Sequence, residues 1–242
     1  MELSLENRED RASMGRRGLE RKKLLELLRA GKIDSAAAEL RQLPGRRFAN
    51  PLRSALCSDE EAKWPAVTLM GLLTAELAAR NLESARVVMR TLAWNLTEEC
   101  GGIAWGTPES MAEIIACDET LAEEYAAILV SYIREDGNFL EHEPMQRGVV
   151  WGIGRVAQIR PELLRAHHAG RYLVPYLESE DATVRGCAAW ALGLLRTSEA
   201  ATRLETLLDD REEIRVYLDR ELVRSSVGDL VSQALSRIRP RS

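Results

Sequence analysis

The chain has 242 residues, 45% of them hydrophobic and 29% charged, with a formal net charge of -5. That apolar share excludes disorder of the whole chain and is ample for a packed interior, while the acidic balance and missing basic groove argue against a nucleic-acid enzyme. The longest apolar stretch, Tyr125 to Ile133, is broken by Ser131 and falls far short of the roughly 20 residues a membrane helix needs, so no transmembrane span is expected.

Residues 1–17 read as a flexible charged tail and residues 18–239 as one domain. Met1 to Lys23 holds no apolar h-region, which argues against a secretory signal. The four cysteines, Cys57, Cys100, Cys117 and Cys187, stand far apart and form no CxxC, as expected of reduced thiols in a cytoplasmic protein. The first firm helix spans Leu19 to Ala30, with Leu24, Leu25, Leu27 and Leu28 as its stripe and Gly31 as its stop. Asp34 caps a second helix through Leu43, and Asn50-Pro51 opens a third. Ser58-Asp59-Glu60-Glu61 reads as a capping box leading into a helix to Arg80, and Asn81 starts one ending near Thr97.

Glu98 to Gly106 holds three glycines and Trp105 and reads as a loop with a tight turn, after which Thr107-Pro108-Glu109 restarts a helix. A longer helix follows Asp118 to Glu135 and stops at Asp136-Gly137-Asn138. Pro144 and Pro161 open the next two, Tyr172 to Leu177 is short, Asp181 caps another, and Ser198 caps its partner through Leu208. Between Glu213 and Val227 the periodicity changes to two around Asp219-Arg220, which predicts a β-hairpin at about 213–226 before a final helix from Val227 to Ile238.

One phrase recurs. Trp151-Gly152-Ile153-Gly154 and Trp190-Ala191-Leu192-Gly193 lie 39 residues apart, each preceded by an Arg-Gly pair, Arg147-Gly148 and Arg185-Gly186. A unit of about 40 residues made of helix and short loop cannot bury its apolar face alone, so copies must stack. The fold expected is all-α: a right-handed α-solenoid with a small hairpin inserted near the C-terminus. Looser copies sit at Trp64 to Leu73, where Gly71 takes the Gly193 position, and at Met89 to Thr97, where Arg90 and Trp94 keep the offset of Arg147 and Trp151. Trp94, Trp151 and Trp190 are therefore expected as buried knobs. Arg90, Arg147 and Arg155 are candidates to pair with Glu98, Glu99 or Glu141, and Arg185 to bond carbonyls or a neighbouring Asp, with Gly154 and Gly193 as points of close helix approach.

The run from Asp181 through Val184-Arg185, the small residues and Ala191-Leu192-Gly193 resembles the HEAT-like repeat of the phycobilin lyase (PBS lyase) type. From Trp94 to Leu195 the chain also looks like an uncharacterised bacterial family of HEAT-repeat proteins associated with anaerobic sulfur-metabolising bacteria. Trp94 to Gly106, Gly137 to Glu141 and Gln146 to Arg155 carry that likeness. Both resemblances imply the solenoid, in HEAT or armadillo form. The first also implies a lyase-like or chaperone-like action on a cofactor- or tetrapyrrole-bearing partner.

No catalytic motif, phosphate loop, dinucleotide fingerprint or Cys/His ligand set is present, and no cofactor is expected. Glu141-His142-Glu143 gives a single His-Glu step, too few for a dinuclear metal centre. From Thr91 to Gln146 there are twelve acidic residues and one basic, Arg134, which reads as an acidic surface that attracts a cationic partner or as solvated helix faces. The function expected is a non-catalytic protein-interaction scaffold using a concave, acidic face. The candidate contact residues are Glu98, Glu99, Trp105, Asn138, Glu141 and His142, facing a protein with a basic surface.

Overall fold

The computed structural model describes residues 21–97 and 105–239; the predicted tail, Glu98, Glu99 and the remainder of the glycine-rich loop to Ala104 lie outside the described residues. The helices are α1 over 21–29, α2 (Ile33–Arg41), α3 (Ala49–Leu56), α4 (Glu60–Ala78), α5 (Leu82–Thr97), α6 (Thr107–Cys117), α7 (Glu119–Ser131), α8 (Glu143–Ile159), α9 (Pro161–Ala166), α10 (Ala169–Leu173), α11 (Ala182–Leu195), α12 (Ala201–Thr206) and α13 (Val227–Ile238). Strands β1 (Glu213–Leu218) and β2 (Glu221–Ser226) form the predicted hairpin between α12 and α13.

The start signals work with small shifts. Asp59, rather than Ser58, is the N-cap of α4 and accepts the Ala62 N–H. Pro65 sits inside that helix, where its missing N–H leaves the Glu61 carbonyl without an intrahelical donor. Asp181 caps α11 by accepting backbone N–H groups, as the sequence predicts, and Asp118 caps α7 in the same way. Thr107 lies within α6, capped instead by Gly106 at φ 70, and Ser198 opens a short 3-10 turn before α12 rather than capping it. The hairpin turns through Asp219 (φ 49) and Arg220 (φ 70), so two non-glycine residues hold the left-handed conformations that a two-residue loop needs. Pairing runs from Leu218↔Glu221 to Glu213↔Ser226, and Ser226 with Asp229 forms a capping box that launches α13.

Helices α4, α6, α8, α11 and α13 pack side by side in one row, with α5, α7, α9 and α12 packed as second helices of the repeats. This is an α-solenoid. Two seams of the row meet at the repeated glycine: Trp190 packs on Gly154, and the Ala234 backbone packs on Gly193, leaving no room for a Cβ at either position. Gly71 receives Glu113 of α6 in the same way. Trp151 and Trp190 are each 3% exposed, as expected of core knobs, but Trp94 is 66% exposed. The reason is its helix: α5 is a second helix outside the row, and it buries Ala85, Val88, Met89 and Leu92 while Trp94 falls on the other side. The member of the row missing from the sequence reading is α6, which carries no Trp-Gly phrase.

Candidate functional site

The hairpin does not stand clear of the repeats. It lies across α11, α8 and α4, with Ile214 filling the space over Gly186 and Tyr217 reaching residues about 150 positions earlier. The Tyr217 ring stacks on Trp64 at 4.8 Å and 10°, and its hydroxyl shares a 3.0 Å hydrogen bond with the Thr68 hydroxyl. Trp151 packs on Trp64 at 4.7 Å and donates its indole N–H to the Tyr217 carbonyl at 2.7 Å. Arg215 ties the same strand to Glu60 and Glu61 at 3.0 and 3.1 Å. The strand thus covers part of one face of the row.

Beside β1 a cleft of ≈ 380 Å³ remains open, bordered by Lys63 and Trp64 of α4, Trp105 and Glu109 at the start of α6, Arg147 and Trp151 of α8, Thr183 and Cys187 of α11, and Arg215 and Val216 of β1. Its electrostatics come from α6, all of whose first ten residues are buried, among them Glu109 and Glu113 at 3% exposure. One turn apart, these two carboxylates face opposite neighbours. Lys63 Nζ bonds Glu109 Oε1 at 2.5 Å and also sits 4.8 Å from the Trp64 ring centre. The Arg155 guanidinium grips Glu113 through two bonds of 2.6 and 3.1 Å. Among the described residues, Trp64 Nε1 and Glu109 Oε2 are buried with no hydrogen-bond partner. Such groups are costly to leave unpaired.

The candidate contact residues divide. Trp105, 40% exposed, and His142 come together edge-to-face with ring centres 6.3 Å apart, and Glu141 stands exposed beside His142. Asn138 is committed elsewhere, donating to the Ser131 hydroxyl at 2.9 Å across the turn that follows α7. Among the described residues the arginines take partners other than Glu141, and Glu98 and Glu99 lie outside the described residues. Arg90 pairs with Glu83 at 2.6 Å, Arg155 with Glu113, and Arg147 with Asp181, the N-cap of the next helix in the row. Arg185 bonds both classes expected of it, the carbonyls of Ser179 and Glu180 and the carboxylate of Asp210 at 2.8 Å. Arg29 likewise reaches Asp59, the cap of α4, so a cation bound to the cap of a following helix recurs along the chain.

The acidic block is a smaller surface than its count implies. Glu109 and Glu113 are core residues in ion pairs, Asp118 is a cap, and Glu124 and Asp136 pair with Arg86 and Arg134. Glu119, Glu123, Glu135, Glu141 and Glu143 are exposed. Sequence counting missed this because one sign of charge on a helix carries no information about which face it lies on. Among the described residues no three His, Cys, Asp or Glu side chains converge to hold a metal ion, and no helix is long and apolar enough to cross a membrane. Burial pushes the Cys187 thiol up to about 12, and burial with the nearby Glu113 carboxylate does the same for Cys117, so neither is a ready nucleophile.

Residues 143–195, from the start of α8 to the end of α11, match the HEAT-like repeat family. That segment is similar to a HEAT-like repeat. It contains both Trp-Gly phrases and the Gly154–Trp190 seam. Among solved structures, an engineered protein covers 90% of this chain and 91% of its own at 16% identity with a TM-score of 0.58. A second engineered protein gives 90%, 96%, 16% and 0.54. A designed armadillo repeat protein in complex with a (KR)4 peptide gives 90%, 98%, 17% and 0.51. Identities this low speak for the fold, a HEAT/armadillo-type solenoid, and for nothing finer. No curated protein matches the chain in sequence.

Proposed function

We propose that this protein is a non-catalytic interaction scaffold whose HEAT-like row presents the cleft beside β1 to a partner protein. The observation that carries the reading is Trp105: a large aromatic, 40% exposed, held edge-on to His142 at the mouth of a cleft walled by two more tryptophans. Large aromatics in such positions are the side chains that dominate interface energies. Glu141 and Glu143, exposed on either side of His142, add negative charge and favour a partner with a basic surface, through a faster and salt-sensitive encounter. The (KR)4 peptide held by the designed armadillo neighbour is a partner of that kind on the same fold. The reading sets the chain in a reducing, cytoplasmic setting, with Cys117 and Cys187 as free thiols, and gives it neither nucleic acid nor membrane as partner.

Affinity capture from native cells with the intact chain and with Trp105→Ala tests the reading. A specific partner retained by the first and lost by the second, with unchanged melting temperature and weaker binding at high salt, is the expected result. Equal capture by both at low and high salt would place the interface elsewhere.

A further inference from the structure

Many arginines of this chain reach a carboxylate on a neighbouring element: Arg41 bonds Glu76, Arg86 bonds Glu124 and Arg185 bonds Asp210. One place breaks that pattern. The 3-10 turn Gly45–Phe48 runs directly into α3, so Arg46, Asn50 and Arg53 recur every three to four residues and share one face. Ser84, Val88 and Thr91 recur in the same way on α5, and the two faces enclose a cavity of ≈ 520 Å³ that Arg47 also borders. No acidic side chain lines it. Among the described residues the guanidiniums of Arg46, Arg47 and Arg53 have neither ion pair nor hydrogen bond, and the Asn50 carboxamide and Ser84 hydroxyl are unbonded too.

Guanidinium groups donate and never accept, and they stay charged at any physiological pH. Three of them around one concavity repel one another and focus a positive field into it, which concentrates anions there. An occupant that answers them carries more than one negative charge and more acceptor oxygens than a carboxylate. A phosphate monoester carries about 1.5 to 2 negative charges on three terminal oxygens, and an arginine fork grips two such oxygens at once. A sulfate ester or a phosphodiester brings a single charge and leaves the arginines under-neutralised. Val88 and Leu92, both almost wholly buried, give the cavity an apolar floor for the carbon stem of the ester.

We infer that the cavity between the Gly45–Phe48 turn, α3 and α5 is a binding site for a phosphate monoester, held by Arg46, Arg47 and Arg53 with Asn50 and Ser84 as neutral donors. It shares no residue with the Trp105 cleft, so it adds a second ligand class to the molecule and stands or falls apart from the scaffold reading. The phosphoryl group arrives on a small molecule or on a phosphorylated side chain of a protein, and the cavity meets the same atoms in both. Its volume lies within the range for small-molecule sites, about 300 to 1,000 Å³.

Calorimetric titration of the full chain with phenyl phosphate, and in parallel with a glycine-flanked phosphoserine peptide, tests the assignment. Phenyl sulfate, benzoate and a single-stranded oligouridylate are the comparisons. The expected result is one site for at least one of the two monoesters, with phenyl sulfate and benzoate weaker by about tenfold or more. Tighter binding of phenyl phosphate assigns a small-molecule source, and tighter binding of the peptide a protein source. Arg46→Gln, Arg47→Gln and Arg53→Gln break no ion pair among the described residues, so each should weaken binding by about fivefold or more at unchanged melting temperature. Arg224→Gln, on an exposed arginine of β2, and Trp105→Ala should leave it intact. If Arg53→Gln, on the half-buried member, loses stability, the exposed Arg46 and Arg47 still decide. No binding of either monoester, equal binding of sulfate and benzoate, or full affinity in the Arg46 and Arg47 variants overturns the site. Tighter binding of the oligonucleotide through the same arginines overturns the choice of a monoester.

Discussion

The two halves of the helical row are sealed by different chemistry. Between α8, α11 and α13 the seams are made of glycine against tryptophan or alanine, with Gly154 under Trp190 and Gly193 against Ala234. Between α4, α6 and α8 glycines also sit at the seams, Gly71 under Glu113 and Gly152 against Ala112, but ion pairs are added, Lys63–Glu109 and Arg155–Glu113, whose carboxylates are almost wholly buried. Shape alone decides the first kind of seam. The second adds charges whose desolvation nearly offsets their attraction, and it is the half that contains unpaired polar atoms. The buried charges thus cluster in the α4–α6–α8 half, while the cleft borders both halves, from Lys63 and Trp64 of α4 to Thr183 and Cys187 of α11.

The largest test of that contrast is Trp190→Ala, which empties a glycine seam and should cost about 3–5 kcal/mol by denaturant unfolding. Trp94→Ala, with the same atoms removed from a 66% exposed residue, should cost about 1 kcal/mol or less. Comparable losses would mean that repeat position does not govern burial.

On the ionic side, Lys63→Met should destabilise by about 2–3 kcal/mol by leaving Glu109 unneutralised, and adding Glu109→Met should restore most of that loss. A double variant no better than the single would show that the pair contributes stability of its own rather than compensating for burial.

Stability at high pH reads the dry seam through Cys187, whose thiol sits at about 12 in the folded chain against a usual 9.0. Above pH 9 the unfolded chain releases this proton and the folded chain keeps it, so stability present below pH 9 is lost as pH rises toward 12. Cys187→Ala should make melting temperature between pH 9 and 11 fall less steeply, by an amount equivalent to about 2–3 kcal/mol at the upper end. Equal slopes in both proteins would show that the seam admits water.

The smallest expected effect is Tyr217→Phe, which removes only the bond to Thr68 and should cost about 1 kcal/mol in urea unfolding. No measurable loss would leave the aromatic stack as the hairpin's main attachment.

Local pattern was enough for much of this. The hairpin's bounds followed from alternation, the cap Asp181 from residue type and position, and the paired glycines from their spacing. What stayed hidden depends on which element lies next to which. Nothing in Arg90 and Trp94 distinguishes a second helix from a member of the row, and nothing in Glu109 and Glu113 reveals that Lys63 and Arg155 stand on either side. For the site, Trp105 and His142 were visible as an aromatic and a polar residue outside the repeat register. Trp64 as the third wall was not, because it joins the site through Tyr217, far along the chain.

That long reach has a bearing on how the chain folds. A stack of repeats is close to one-dimensional: each unit touches its neighbours, and its ends fray independently. Tyr217 and Arg215 convert this line into a loop by tying the strand before α13 to α4. Closing so large a loop is slow and entropically expensive, so docking of the strand belongs late in folding, after the helices it crosses have assembled. Once made, it couples the distant repeats, so that loss of α4 removes the hairpin's footing and loss of the hairpin loosens α4. The protein should unfold as one cooperative unit, where a plain stack of the same helices would come apart from its ends.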